Sequence, residues 1–387
     1  MMKPKVLFII DSFGVGGAET SLIEILKGND GIDAIVCGIY KDKTLLPAYQ
    51  AAGIRTVHLD LRGKYQWKVA FRKLSDLVAL EKPHIVHATL YRACILSRFL
   101  SGRARVNVVN SLVSDSYGDV RQSMISLAAR IKLFSIQLLD RLTARRVNVF
   151  VANSNAIKES YAKKVNVDLG KIETIYRGRD PERFRLPEDN ETYRKSIREE
   201  FNLGETAFVF LHVGRLVASK GQLDLVQAFH QAQASLPETV LLLAGEGPYR
   251  NTLEAYVRQH NLQNKIILLG QRDDISKLLA ASDVFVTATH YEGHSGAIIE
   301  AMFSGTPMIV SDIAPNLETV SASMARIFSR GDVGQLKKEL VYSFESYTQL
   351  KTLAQHAQQH AYDNFSIQGV RQHYNTLYHN LYQSINQ

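Results

Sequence analysis

Short apolar runs alternate with helical spacings along the whole chain. KVLFIID (residues 5–11) reads as a buried strand. Leu22, Ile23, Ile25 and Leu26 supply the apolar side of a helix that continues from Ala18 to Leu26. Further strands are expected at about 33–39, 54–59, 84–88, 105–109 and 147–154, with a helix near 67–80. AFVFLHVGRL (207–216), VLLLAGEGP (240–248), KIILLG (265–270), 284–287 and 308–310 continue the series, and the last helix covers about 366–386. Strands alternating with helices predict an α/β fold with parallel, right-handed doubly wound sheets. A chain of 387 residues has room for two domains of ordinary size.

The richest stretch runs from Ser282 to Asp312. Val284 to Thr287 form a strand, the chain turns through His290 to Gly296, and Ile298, Ile299, Met302 and Phe303 carry helical spacing. Gly305-Thr306-Pro307 ends that helix. A loop of this kind lies at the carboxyl edge of the sheet, where open α/β folds bind ligands. Gly293 and Gly296 let the backbone approach a ligand, and the helix start at Ser295–Ala297 offers N–H groups to an anion. Glu292 and Glu300 can then face one bound molecule. Taken singly, they equally fit a solvated loop charge and a first-turn glutamate favoured by the helix dipole.

Cations mark a second segment. Gly214-Arg215 closes one strand and Ser219-Lys220-Gly221 opens the next helix, so Arg215 and Lys220 can grip a diphosphate from two sides. Near the amino terminus, Ser12-Phe13-Gly14-Val15-Gly16-Gly17 is a glycine-rich turn between strand and helix, which can hold phosphate or simply make a tight turn.

Composition narrows the class. An apolar share of 45% with 22% charged residues is that of a globular enzyme, and no apolar stretch approaches a membrane span. VLFII reaches only to Asp11, so a first core strand is expected rather than an export signal. Cys37 and Cys94 give neither a disulfide framework nor a metal cluster and point to a reducing cytoplasm. Residues 1–187 hold 30 Lys and Arg against 17 Asp and Glu, a net of +13, whereas residues 188–387 hold 16 against 21, a net of −5. No nucleic-acid-binding motif accompanies the basic half, which favours a membrane surface or an anionic acceptor. Residues 121–146 interleave Ile125, Leu127, Ile131, Leu133, Phe134 and Leu138 with Arg121, Arg130, Lys132, Arg141, Arg145 and Arg146. One long helix or a pair is expected, either lying on anionic lipid or packing on the core with a solvated basic face.

The spacing E-G-x-x-G-x-x-x-E-A-M from Glu292, the segment G-R-L-x-x-x-K-G from Gly214 and G-V-G-G-A-E from Gly14 resemble one family. It is that of retaining, nucleotide-sugar-dependent glycosyltransferases of the GT-B fold, closest to family 4 (glycosyl transferases group 1), over most of the chain. The resemblance implies two Rossmann-like doubly wound domains with a cleft between them. Residues 1–182 would form the acceptor domain, with the helix at about 366–387 packing back on it, and residues 183–365 the donor domain. It also implies hexosyl transfer from a nucleotide sugar, UDP most often, to a saccharide or lipid-linked hydroxyl, in surface polysaccharide or lipopolysaccharide synthesis. Arg215 and Lys220 would neutralise the leaving diphosphate. Glu292 would contact the sugar hydroxyls or support the developing cation, and Glu300 would accept from the ribose hydroxyls. Gly16, Gly17, Gly214, Gly245, Gly293, His294, Ser295, Gly296 and Ala297 would line the donor, with the base beside Gly270, Gln271 and Arg272. His87, Asn110 and Arg177 would face the acceptor.

Two departures stand out. Relatives often carry a histidine in the loop after the 105–109 strand, whereas residues 110–120 contain none. Arg177-Gly178-Arg179-Asp180 replaces the family's Asn-Gly pair. No D-x-D motif occurs, so neither metal nor cofactor is expected beyond the donor. The expected location is the cytoplasm or the inner face of the cytoplasmic membrane, with no nucleic-acid partner. Two further readings share the fold: a non-catalytic nucleotide-sugar-binding subunit, and an epimerase or phosphorylase.

Overall fold

The computed structural model describes residues 3–63, 66–104, 106–185 and 191–384. The chain divides into two compact units, one formed by Met1–Gly178 with Ile367–Gln387 and the other by Arg179–Ser366. The division falls earlier than the expected 182. Arg179 belongs to the second unit because its N–H donates to the Phe365 carbonyl at 3.0 Å and its guanidinium to Glu300.

Among the described residues the first unit holds seven parallel strands: β1 (Lys5–Ile10), β2 (Asp33–Tyr40), β3 (Arg55–Leu61), β4 (Ile85–Thr89), β5 (Asn107–Leu112), β6 (Val149–Ala152) and β7 (Ile172–Thr174). Their order is β3-β2-β1-β4-β5-β6-β7. Side chains alternate along a strand, so a run buried on both faces feeds two cores. Val6, Phe8 and Ile10 of β1 pack with the helix Gly17–Leu26 and with Val370, Leu377 and Tyr378 of the last helix, Ile367–Gln383. Leu7 and Ile9 face the opposite core with Leu74 and Leu96. Of the expected 105–109 strand, Arg105 lies outside the described residues, as do 385 and 386 of the last helix expected at about 366–386.

Among the described residues the second unit holds six parallel strands: β8 (Phe208–Val213), β9 (Thr239–Ala244), β10 (Ile266–Gly270), β11 (Val284–Thr287), β12 (Met308–Ser311) and β13 (Arg326–Phe328). Their order is β10-β9-β8-β11-β12-β13, and the helix Gln222–Ala232 packs Leu225 and Phe229 against Phe210 and Leu241. In each sheet the order reverses beside the first strand of the unit, between β1 and β4 and between β8 and β11. Crossovers leave opposite ways at that point and open a crevice at the carboxyl ends, where doubly wound folds bind ligands.

Candidate active site

In the second unit the loops after β8 and β11 meet at the switch point. Gly221 makes this possible. Its φ of +67° is left-handed, and a Cβ there would stand 1.9 Å from the Ala288 carbonyl oxygen. With that close approach, the Ser219 carbonyl accepts from the His290 N–H at 2.8 Å and from Thr289 Oγ1 at 3.1 Å. The lacing brings Lys220 Nζ onto the Glu292 carboxylate as an ion pair. Arg215, on the same side, is exposed and makes no ion pair among the described residues. Its carbonyl accepts from Gln222 Nε2 at 2.9 Å.

Gln222 in turn lies 3.3 Å from Nε2 of the buried His212, whose Nδ1 is 2.9 Å from the Val286 carbonyl. A proton on Nδ1 satisfies both contacts, and burial pushes the His212 pKa down to about 4, so the ring is neutral. His212 and Gln222 hold the Arg215 backbone in place. The residue pattern gave no sign of them, since nothing in a strand sequence tells which polar residue is buried beside which.

The helix Gly296–Phe303 starts with Ser295 accepting from the Ile298 N–H, a side-chain cap that leaves the first helical N–H groups at Gly296 and Ala297. Arg179 lies over this start. A Cβ on Gly296 would be 2.0 Å from Arg179 Nη2, and Arg179 Nε donates to Glu300 Oε1 at 2.7 Å. The half-buried Glu300 carboxylate is therefore oriented by a cation that the sequence placed near the site without a partner. Gly293 is buried, and the His294 ring is buried against Phe365 at 5.3 Å between centroids, so it offers a ligand backbone rather than imidazole.

At the other flank the strand ends of β8, β9 and β10 are laced together. Gly214 N–H donates to the Ala244 carbonyl at 3.0 Å and Gly245 N–H to the Gly270 carbonyl at 2.7 Å. A Cβ on Gly245 would lie 2.0 Å from the Gly214 oxygen. Gln271 is exposed beyond them. Arg272, the third residue beside which the base is expected, follows it with its side chain engaged. Its guanidinium is held by Glu200 at 2.5 and 3.0 Å and by Asp274 at 2.8 and 2.7 Å, over the Phe201 ring.

In the first unit the glycine turn precedes the helix Gly17–Leu26, and a Cβ on Gly17 would lie 3.3 Å from Arg177 Nη1. Gly16, Gly17 and Arg177 thus come together, with Glu19 Oε2 folded 2.3 Å from where a Gly16 Cβ would sit. Arg177 also lines a cavity with Ser21, His87, Ser111, Tyr374 and Tyr378. His87 is engaged at both nitrogens, by Tyr378 Oη at 2.7 Å and Ser111 Oγ at 2.8 Å, and burial pushes its pKa down to about 3. It is a neutral, clamped ring. Asn110, expected on the acceptor side, has its side chain turned into the core. Fully buried, it accepts from Arg98 Nε at 2.7 Å and donates to Ser97 Oγ at 3.0 Å. Arg98 is in turn paired with the buried Asp140. A second cavity of about 290 Å³ opens nearby, rimmed by Leu90, Ser114, Tyr117 and Arg121. Leu90, at the end of β4, has a left-handed φ of +76°.

Two sheets of this order, each with glycine and cation loops at its switch point, define a two-domain Rossmann-like α/β protein. A profile described as "Glycosyl transferases group 1" matches residues 193–360, and one described as "Glycosyltransferase Family 4" matches residues 15–183. The chain belongs to the group 1 glycosyl transferases, with the GT-B fold expected from its motifs. It is 32% identical over 249 residues to an Escherichia coli UDP-Gal:alpha-D-GlcNAc-diphosphoundecaprenol alpha-1,3-galactosyltransferase, a match covering 63% of this chain and 61% of that relative. It is 24% identical over 316 residues to N-acetyl-alpha-D-glucosaminyl L-malate synthase of Bacillus anthracis, covering 81% and 77%. The structure of Anabaena HepE in complex with UDP and glucose superposes with a TM-score of 0.84 at 22% identity, over 97% of this chain and 99% of that one. That likeness concerns the fold.

Proposed function

We propose that the protein transfers a hexosyl unit from a UDP-sugar, with retention of anomeric configuration, to a hydroxyl of a lipid-linked saccharide during surface polysaccharide or lipopolysaccharide synthesis. The work would be done at the cytoplasmic face of a membrane. The observation that carries the reading is the constellation at the β8/β11 switch point: exposed Arg215, the Lys220–Glu292 pair, and Glu300 held by Arg179 over a helix start. Cations and N–H groups fixed in advance act most strongly where negative charge develops, which in glycosyl transfer is the departing diphosphate. Lys220 would exchange Glu292 for phosphate oxygens, freeing that carboxylate toward the sugar and its developing positive charge. Glu300, steadied by Arg179, keeps a lone-pair site for the ribose hydroxyls. The acceptor hydroxyl would attack the face the diphosphate vacates.

The UDP preference and lipid-linked acceptor draw support from the Escherichia coli relative, a galactosyltransferase using UDP-Gal and a diphosphoundecaprenol-linked acceptor, and UDP also from the HepE complex. Calorimetry with UDP, GDP and ADP, followed by NMR of products from a UDP-sugar panel and a polyprenyl-diphosphate-linked acceptor, tests the proposal. UDP binding in the micromolar range and an axial product linkage are expected from an α-configured donor. Binding of GDP alone, or inversion at the anomeric carbon, would overturn it.

A further inference from the structure

The helix Leu127–Thr143 has apolar residues on two opposite faces. Its inner face is spoken for. Leu133 and Ile136 pack on the core around Phe150 and Tyr161, while buried Asp140 and Thr143 bond to Arg98. Its outer face has no cover. Leu127, Ile131, Phe134, Leu138 and Leu142 are 73%, 63%, 68%, 49% and 62% exposed, and at about 100° per residue they form one stripe along the helix. Seven of the twelve exposed large apolar side chains among the described residues fall within Met124–Leu142, so the patch is a local feature and not the scatter of an ordinary surface.

Charge identifies the occupant. Arg130 and Arg141 flank the stripe on one side and Lys132 on the other, with Arg145 and Arg146 exposed just beyond the helix. The single acidic residue of 121–146 is Asp140, buried against Arg98, so the outer surface carries cations alone. An apolar stripe edged by long basic side chains matches an anionic bilayer, with acyl chains taking the stripe and headgroups meeting the snorkelling cations. A second copy of the chain would face these cations with its own. No helix among the described residues is long and apolar enough to cross a membrane, so the contact is in-plane.

We infer that the outer face of Leu127–Thr143 docks on an anionic membrane surface. Docking would hold the cavity under the same helix, lined by Leu133, Ile136 and Arg121, at headgroup depth. This deepens the proposed function by naming the surface through which a lipid-linked acceptor is reached.

Co-sedimentation of the full chain with vesicles of phosphatidylcholine alone, or mixed with phosphatidylglycerol, tests it without nucleotide or glycolipid. Donor binding can therefore fail or succeed independently. Binding to the anionic vesicles alone is expected, weakened by salt. Arg130→Gln/Arg141→Gln should weaken it roughly 25-fold, at about fivefold per cation. Ile131→Glu/Phe134→Glu should abolish it while leaving UDP affinity and thermal unfolding unchanged, which shows that the variant folds. The inference is overturned by no sedimentation with anionic vesicles at low salt. Equal binding by the Ile131→Glu/Phe134→Glu variant, or an Ile131- and Phe134-dependent dimer in place of vesicle binding, would also overturn it.

Discussion

Lys220 and Glu292, 72 positions apart in the chain, meet as an ion pair between the loops that follow β8 and β11. The pairing separates their roles. On the proposed reading, Lys220→Ala would remove a charged phosphate contact worth about 2–3 kcal/mol and should weaken UDP binding roughly 30- to 150-fold by calorimetry. Glu292→Gln removes no cation and should leave UDP affinity within roughly threefold. Turnover should fall about 10²- to 10³-fold, because support for the transition-state cation is lost. Unchanged turnover in Glu292→Gln would refute its place beside the sugar.

Gly221→Ala should act through the backbone. The left-handed φ and the Ala288 oxygen leave no room for a methyl group, so the two loops must part. A destabilisation of about 2 kcal/mol or more in urea unfolding is expected, together with loss of UDP binding as Lys220 leaves the site. Gly204→Ala, where nothing lies within 4 Å of the added carbon, is the control.

Gly296→Ala tests the Arg179–Glu300 contact. The new methyl group would displace the guanidinium that lies over the helix start, costing about 1–3 kcal/mol of stability. If Arg179 orients Glu300 for the ribose, Arg179→Met should weaken UDP more than inorganic pyrophosphate, which carries no ribose. Equal loss for both ligands would mean that Arg179 acts through charge alone.

Asp140→Asn should destabilise without touching the donor. Arg98 would be left buried with an uncompensated charge, a change that costs roughly 3–5 kcal/mol. UDP affinity in the folded fraction should be unaltered.

Acid should destabilise the fold through two histidines. His87 and His212 are buried and neutral, with pKa values pushed down to about 3 and about 4 from 6.5. Between those values and 6.5 the unfolded chain binds more protons than the folded one. Their contribution is thus complete above pH 6.5 and is lost as pH falls, at about 1.4 kcal/mol per pH unit for each ring. Unfolding midpoints from pH 7 to 5 should show a shallower slope in His212→Gln, by about one proton. An identical slope would remove His212 from this account.

Much of the fold was legible in the chain. β1, β8 and β11 are mainly apolar, β-branched or aromatic runs, because strands covered on both faces leave few polar positions, His212 in β8 being one. β7 and β13 were not anticipated: each has three residues at a sheet edge, too few for a period to register. The placement of the candidate site's cations and carboxylates at strand ends and helix starts was legible too, since each residue type has a local reason there.

What local pattern could not specify is which groups meet. Glu300 is bound by Arg179 from 121 positions away, His87 by Tyr378 from 291, and Asn110 turns inward to Arg98 instead of facing a ligand. The cations and apolar residues of 121–146 were plain in the sequence, yet the helix is apolar on two faces, and periodicity alone cannot say which one the core takes. Short-range preference and burial periodicity set the elements and the chemistry available. The pairing of side chains across the switch points, and the choice of the face left to solvent, follow from long-range packing that exists only in the folded chain.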